Sequence, residues 1–168
     1  GTGRIWFGTN KGLGTYDGKA FHNYTVADGL PHDQVRSLAW DANGGLWIGT
    51  HKGVCHYDGR DFRTFPEAGG PGNNRVNAIH RDRKGNLWFG TNKGLGFFDG
   101  KQFRQYGEAD GLVHSDVYAI VEDREGTLWV GTSEGVCCFD SLVFTEFPLG
   151  DQFGRSAVGF LFEDQEGR

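Results

Sequence analysis

Residues 82–100 read Asp-Arg-Lys-Gly-Asn-Leu-Trp-Phe-Gly-Thr-Asn-Lys-Gly-Leu-Gly-Phe-Phe-Asp-Gly, and this motif recurs along the whole chain. Its tryptophan has counterparts spaced 41 residues apart, without insertion or deletion, at Trp6, Trp47, Trp88 and Trp129. A fixed period of this length is the signature of a repeat protein. Residues 1–168 therefore form one segment of four repeat units, at about 4–44, 45–85, 86–126 and 127–167.

Each unit contains four short β-forming runs separated by turn signals. A first run, as at residues 117–121, precedes an Asp-x-x-Gly turn, and a second run, as at 128–132, contains the repeat Trp. A third run ends at Asp99-Gly100, a pair typical of a two-residue type I′ hairpin, and a fourth run follows. Four antiparallel strands per unit, without helical periodicity, predict an all-β fold in which each unit is one four-stranded blade of a β-propeller.

Two residue types that recur in every unit are assigned structural roles. We expect the repeat Trp to form the packing layer between blades, whereas Trp40, whose repeat equivalents are polar, is expected at the surface. The Asp that opens each Asp-x-x-Gly turn is expected to bond to its own turn, because single carboxylates on separate blades do not converge as a calcium site requires. The residues assigned these roles are Trp6, Trp47, Trp88, Trp129, Asp41, Asp82, Asp123 and Asp164.

The two ends of the chain carry complementary parts of a blade. Residues 158–164 read as a lone first strand, and residues 1–24 supply the second to fourth strands of a blade. Pairing the two would complete that blade and remove unpaired strand edges. Closure between two chains gives an eight-bladed, two-fold ring and is the favoured prediction, a homodimer. Closure within one chain gives a four-bladed ring, and a larger ring or a fragment of one is the third alternative.

Charge and composition exclude several function classes. The net charge of −5, from 17 basic and 22 acidic residues, argues against a nucleic-acid partner. No apolar stretch approaches the roughly 20 residues that span a bilayer, so no direct membrane insertion is expected. The chain begins Gly1-Thr2 and contains no Met, so we expect a trimmed or excised piece of a longer protein. Cys55, Cys137 and Cys138 lack metal-binding spacing, and neither a metal site nor a cofactor is predicted.

Candidate ligand-binding residues are the polar side chains expected on one face of the ring and around its central channel. Lysines recur in the loops between second and third strands, and further polar residues precede or begin each first strand. His32 and His114 share one position in the long Asp-Gly-Leu loops, where we expect loop-stabilising hydrogen bonds, with a metal or pH role as the alternative. The candidates are Gln34, Arg36, Arg75, Asn77, Asp116, Tyr118, Lys11, Lys52, Lys93, His32 and His114.

The pattern Asp-x-x-Gly-x-Leu-Trp-x-Gly-Thr-x-x-Gly-Leu-x-x-Tyr-Asp-Gly-x-x-Phe, followed by Asp-Gly-Leu, resembles the two-component regulator propeller repeat over essentially the whole chain. The resemblance implies a propeller of a bacterial sensor that lies outside the inner membrane, in the periplasm. It further implies binding of a ligand, often an oligosaccharide, on behalf of a histidine kinase or diguanylate cyclase. The fourth unit departs from the pattern, with Asp140-Ser141 and Asp151-Gln152-Phe153 at the positions of Asp-Gly and Asp-Gly-Leu.

Three hypotheses for function follow. The first is a non-catalytic propeller that binds a ligand or partner, as the resemblance implies. The second is a structural, self-assembling propeller scaffold. The third is a propeller lyase, because the streptogramin lyases resemble these repeats in strand pattern. No catalytic residue is predicted, since the sequence shows no nucleophile with a paired base, no phosphate loop and no metal cluster.

Overall fold

The computed structural model describes residues 3–65, 74–140 and 142–164. In these ranges fifteen β-strands form four antiparallel sheets in strict chain order, which confirms the all-β fold and its blades. The first sheet comprises β1 (Ile5–Thr9), β2 (Gly12–Tyr16) and β3 (Phe21–Tyr24). The second comprises β4 (Val35–Trp40), β5 (Leu46–Thr50), β6 (Gly53–Tyr57) and β7 (Phe62–Thr64). The third comprises β8 (Val76–Arg81), β9 (Leu87–Thr91), β10 (Gly94–Phe98) and β11 (Phe103–Tyr106). The fourth comprises β12 (Val117–Glu122), β13 (Leu128–Thr132), β14 (Gly135–Phe139) and β15 (Phe144–Phe147).

The Thr of each Trp-x-Gly-Thr sequence closes the tight turn between second and third strands. The buried hydroxyl of Thr91 donates to the carbonyl oxygen of Gly94 at 2.9 Å and accepts the backbone N–H of Lys93 at 3.0 Å. Thr9, Thr50 and Thr132 make the same pair of bonds in their own blades. One short polar side chain thus fixes a two-residue turn and remains satisfied although it is buried.

The connection between third and fourth strands is longer than the sequence predicts. Phe98 pairs with Phe103, so four residues connect the strands, and the two-residue type I′ turn predicted at Asp99-Gly100 is wrong. The physical reason is the Asp99 carboxylate, whose Oδ1 accepts the backbone N–H groups of Lys101 and Gln102. Gly100 takes the left-handed conformation, with φ of 92°. The Asp side chain, rather than a mirror-image turn, organises the loop.

Neighbouring blades pack tightly against each other at the Gly of the same sequence. A Cβ atom placed on Gly90 would lie 2.8 Å from Cγ1 of Val117, the first residue of the next blade, whose side chain is fully buried. This distance is shorter than carbon atoms tolerate, so the position accepts only Gly without movement of the strands. The same approach recurs at Gly8 against Val35, Gly49 against Val76 and Gly131 against Val158.

The repeat tryptophans lie between blades. Trp88, 5% exposed, stacks on Tyr106 of its own blade at 6.1 Å between ring centroids and contacts Phe139 of the next blade at 5.6 Å. Aromatic pairs at these separations stabilise a core beyond their buried area. Equivalent contacts join Trp6 to Tyr24 and Tyr57, and Trp47 to Phe65 and Phe98, whereas Trp129 contacts Phe147.

The Asp of the Asp-x-x-Gly turn links that turn to the tryptophan. Asp123 Oδ1 accepts the backbone N–H groups of Glu125 and Thr127, and its Oδ2 accepts the indole N–H of Trp129 at 2.7 Å. Asp82 accepts the indole N–H of Trp88 at 3.0 Å. In the second blade Asp41 Oδ2 instead contacts His56 Nε2 at 2.7 Å. Asp164 accepts Arg124 through its backbone carbonyl oxygen.

Residues 158–164 follow the fourth blade without forming a regular strand. The backbone N–H of Val158 donates to the carbonyl oxygen of Thr132 at 2.8 Å, and Val158 covers Gly131 as Val117 covers Gly90. The segment thus occupies the place of the first strand of a following blade. Phe160 and Phe162 are 95% and 87% exposed, and in the described part of the chain β1 pairs with β2 alone.

Gly90→Ala tests the close approach between blades. We expect it to destabilise the protein by about 1–3 kcal/mol, because the added methyl group overpacks the contact with Val117. The measurement is urea unfolding at equilibrium, with Gly107→Ala as the control. Gly107 has extended backbone, with φ of −133°, and no atom within 4 Å of its Cβ position. A Gly90→Ala variant as stable as the Gly107→Ala variant would contradict the account.

Asp123→Asn tests the link between turn and tryptophan through its pH dependence. The pKa of Asp123 lies below its usual value of 3.8. Burial by itself would raise this pKa, but the hydrogen bonds from Trp129 and the turn N–H groups lower it by more. The carboxylate therefore stabilises the fold fully above that value, and the contribution is lost as pH falls through the lowered pKa. We expect the variant to be less stable than wild type at neutral pH, with the gap narrowing in acid.

Urea unfolding at several pH values between about 6 and 2 measures this gap. Asp61→Asn is the matched control, since the Asp61 side chain makes no hydrogen bond within the described ranges. A gap that is independent of pH would show that the charge of Asp123 is not the stabilising feature.

Candidate functional site

In the second, third and fourth sheets the first strand carries an irregularity at its second residue. The pairing register shifts between Val35 and Ser37, between Val76 and Ala78, and between Val117 and Ala119. Such a bulge leaves one residue out of the ladder and redirects its side chain. The bulged residues are Arg36, Asn77 and Tyr118, three of the candidates from the sequence.

These three side chains line a cavity of about 410 Å³. Its lining also includes Val35, Gly8 and Gly159, so all four sheets contribute to it. The size is within the range of small-molecule sites. Its polar lining residues are Thr9, Asn10, Gln34, Arg36, Asn77 and Tyr118.

Hydrogen bonds join the bulged residues from blade to blade. Arg36 Nε donates to Asn77 Oδ1 at 3.1 Å. Asn77 Nδ2 donates in turn to the carbonyl oxygen of Val117 at 2.8 Å and lies 3.4 Å from Asp116 Oδ1. Both ends of the Asn77 amide are therefore occupied. These hydrogen bonds hold the Arg36 and Asn77 side chains in place along the cavity.

Asp116 is the centre of the same network on the next blade. Arg75 Nη2 lies 3.0 Å from both carboxylate oxygens, and Tyr118 Oη donates to Oδ2 at 2.9 Å. The hydrogen bond to Asp116, then burial and the nearby negative charge, raise the pKa of Tyr118. Arg75 Nε is buried without a partner in the ranges that the structure covers. The charge of Asp116 is thus neutralised within the protein by Arg75.

His32 and His114 hold the backbone that leads into the first strands. Nδ1 of His32 accepts the N–H of Gln34, and Nδ1 of His114 accepts the N–H of Asp116, both at 3.0 Å. Ser133 Oγ lies 2.6 Å from the same Nδ1 of His114. In each ring the bond from the backbone N–H uses the lone pair of Nδ1, which leaves Nε2 as the nitrogen that carries hydrogen. The geometry agrees with loop stabilisation by both histidines.

The lysine candidates lie apart from this network. Lys11, Lys52 and Lys93 occupy the two-residue turns, and their side chains are exposed. The turns share one end of the blades with Gln34 and Arg75, whose carbonyl oxygens accept N–H groups of His51 and Asn92. The lysines therefore lie at the same end of the blades as Gln34 and Arg75, and they do not line the cavity of about 410 Å³.

Two cavity residues, Thr9 and Asn10, and the contact Ser133 are missing from the sequence-based set. Asn10 and Ser133 share a repeat position with His51 and Asn92, directly before the Lys or Glu of the turn. Polar residues recur at this position in all four units, and this recurrence is the sequence feature that identifies Asn10 and Ser133 as candidates.

A second cavity, of about 270 Å³, lies at the opposite ends of the strands. Trp40, 50% exposed, meets the Trp6 ring edge-on at 6.3 Å, and both line this cavity with Arg4 and Tyr57. The surface position expected for Trp40 is thus observed, with its edge packed on the repeat Trp.

The described ranges hold no group of three or more His, Cys, Asp or Glu side chains placed to bind a metal ion. Cys55 and Cys137 are buried thiols, and burial raises the pKa of Cys55 to about 12, which makes it unreactive. In the same ranges no helix has the length and apolar character needed to cross a membrane.

Successive antiparallel sheets of this form, one for each repeat of about 41 residues, are the blades of a β-propeller fold. The two component regulator propeller family matches three stretches of the chain, at residues 29–52, 69–93 and 111–134. The sequence resemblance to this repeat is thus found at three places along the chain. No curated protein sequence matches the chain.

Solved structures extend the comparison. The extracellular domain of a putative hybrid two component system from B. thetaiotaomicron is 27% identical, with a TM-score of 0.84. A second such domain from the same organism is 22% identical, with a TM-score of 0.81. Each alignment covers 98% of this chain and 24% of the other, so the chain spans about a quarter of their length.

An inactive virginiamycin B lyase from Staphylococcus aureus, in complex with quinupristin, is similar in fold at 17% identity and a TM-score of 0.69. That alignment covers 88% of this chain and 53% of the lyase. At this identity the likeness shows the fold alone.

Asp116→Asn tests the network through Tyr118. Removing the carboxylate charge should lower the pKa of Tyr118 towards its usual value, since the charged acceptor favours the neutral phenol. The measurement is the absorbance of tyrosinate during alkaline titration, with the Tyr118→Phe variant identifying the signal of that residue among the five tyrosines. An unchanged titration of Tyr118 would show that the two side chains do not interact in solution.

Proposed function

We propose that this chain is part of a non-catalytic, sensor-type propeller that binds a ligand in its channel in the periplasm, within a two-component system. The extracellular domains to which it is similar support the setting. The observation that carries the binding role is the blade-to-blade network of Arg36, Asn77 and Tyr118 around the cavity of about 410 Å³. Polar groups fixed in advance lose little entropy on binding, which favours affinity.

An oligosaccharide is the ligand class that this lining favours. Side-chain amides and a guanidinium offer both donors and acceptors to sugar hydroxyl groups, at Gln34, Asn10 and Arg36. Each sugar ring carries several hydroxyl groups that can both donate and accept hydrogen bonds. A polar site with several fixed donors and acceptors can therefore bind a sugar through several hydrogen bonds at once.

The same network argues against catalysis. A general base must be free to take a proton from a substrate, and Asp116 is paired with Arg75 and Tyr118. His114 Nδ1 accepts the Asp116 N–H and contacts Ser133, so this nitrogen is engaged within the loop. We therefore favour a binding role over a lyase.

A homodimer that completes a ring remains a separate prediction. The three-stranded first sheet leaves the edge of β1 without a strand partner in the described ranges, and Phe160 and Phe162 are exposed beyond the fourth blade. Edge strands of this kind pair with other chains. Light scattering after size exclusion distinguishes a dimer from a monomer of 18.6 kDa.

Calorimetric titration with a panel of neutral and acidic oligosaccharides tests the binding role. We expect one-to-one binding of at least one sugar at millimolar concentration, and about tenfold weaker binding by Asn77→Ala, because the variant releases Arg36 and opens the network. Asn43→Ala, an exposed position in the turn at the opposite end of the second blade, is the control. Binding by no sugar in the panel, or binding unaffected in a folded Asn77→Ala variant, would contradict the proposal.

A further inference from the structure

We propose that the channel ligand carries an acidic group, a carboxylate or a sulfate on a sugar, and that the guanidinium of Arg36 binds it. This inference rests on the proposed ligand-binding function and adds the chemical class of the ligand. It is carried by an arginine that the network orients while its charge remains unpaired.

Arg36 is held through only one of its nitrogens. Nε donates to Asn77 Oδ1, and the amide of Asn77 is itself fixed by its bond to the carbonyl oxygen of Val117. Because the guanidinium is planar, fixing Nε restricts the orientation of the whole group. The two terminal nitrogens make no hydrogen bond with any residue in the described ranges, and the side chain lines the cavity. A preoriented guanidinium with free terminal N–H groups matches the two oxygens of a carboxylate or sulfate.

The charges around the cavity leave Arg36 without a counterion. The neighbouring carboxylate, Asp116, is bonded to Arg75 Nη2 through both oxygens and accepts a third bond from Tyr118. Arg36 forms no salt bridge in the parts of the chain that the structure describes. The channel therefore presents one uncompensated positive charge, although the whole chain carries a net charge of −5. Arg36 is exposed to solvent at the edge of the cavity, so its attraction for an anion is screened by water and salt and depends on the geometry of the oriented guanidinium.

The repeat makes this charge specific to one position. The residues equivalent to Arg36 are Asn77, Tyr118 and Gly159, which are neutral. The polar groups of Asn77 and Tyr118 are bonded within the network. The acidic group of the ligand is thereby directed to the second blade. The remaining polar lining, Gln34 and Asn10, is left for hydroxyl groups.

Three probes share one sugar ring and differ in the group at carbon 6: D-glucose, D-glucuronate and D-glucose 6-sulfate. They separate the contribution of the acidic group to affinity from that of the sugar ring. We expect at least one acidic probe to bind about tenfold or more tightly than glucose in calorimetric titration, the gain of a charge-assisted bidentate contact. Which of the two acids binds more tightly identifies the carboxylate or the sulfate as the natural group. Raised salt concentration should weaken binding of the acids and leave glucose unaffected.

Arg36→Gln should reduce the affinity for the acidic probe to that for glucose, because glutamine can still donate to Asn77 but carries no charge. Arg36→Lys should lose most of the preference as well, since an ammonium keeps the charge without the planar pair of donors. Arg60→Gln, an exposed position in the β6–β7 turn, removes one positive charge outside the channel and should change nothing.

The outcomes separate this inference from the function on which it rests. If glucose or a neutral oligosaccharide binds as tightly as the acids, or if Arg36→Gln has no effect, the acidic class is overturned and the binding function stands. If the only sugars of the panel that bind are those without an acidic group, the acidic class is likewise overturned and the binding function stands. If no sugar of any kind binds, both the inference and the proposed function fail.

Discussion

The structure depends on one steric constraint, the contact between a glycine in the second strand of each blade and a valine in the first strand of the next. At Gly90 a single methyl group would come within 2.8 Å of the buried Val117 side chain. The contact recurs at every blade boundary, so it sets how closely successive sheets stack. The tryptophan two residues earlier and the threonine one residue later serve the same junction. Trp88 fills the layer between blades, and Thr91 closes the turn that keeps the glycine strand in place.

This contact also places the candidate site. The valine that rests on the glycine is followed directly by the bulged residue, so the position of Val35, Val76 or Val117 fixes where the next side chain enters the channel. Arg36, Asn77 and Tyr118 then meet across blade boundaries because the blades are tightly stacked. Asn77 even bonds to the carbonyl oxygen of Val117, the valine of the adjoining contact. Packing between blades and order in the channel are therefore parts of one arrangement.

Much of this arrangement could be predicted from the repeat. The spacing of Trp88 and its equivalents indicated blades, and the expectation that Arg36, Asn77 and Tyr118 face the channel followed from the start of the first strand. The bulge could not be predicted, because residues such as Val117-Tyr118-Ala119 read as uninterrupted β-forming sequence. The turn at Asp99-Gly100 was mispredicted because the pair suits several loops, and only the strand register shows that the Asp carboxylate caps a four-residue one. The pairing of Asp116 with Arg75 also depends on contact between blades, which local sequence does not reveal.

The most direct test of the account is the pKa of Tyr118 in the Gly90→Ala variant, measured by alkaline titration. The Gly90→Ala/Tyr118→Phe double variant is the reference that identifies the Tyr118 signal. The methyl group at position 90 pushes on Val117, which lies between Asp116 and Tyr118 in the chain. If packing between blades sets the channel geometry, the bond from Tyr118 to Asp116 is disturbed and the raised pKa of Tyr118 falls. A variant that is destabilised while its Tyr118 titrates as in the wild type would contradict the account, because the channel network would then be independent of the contact between blades.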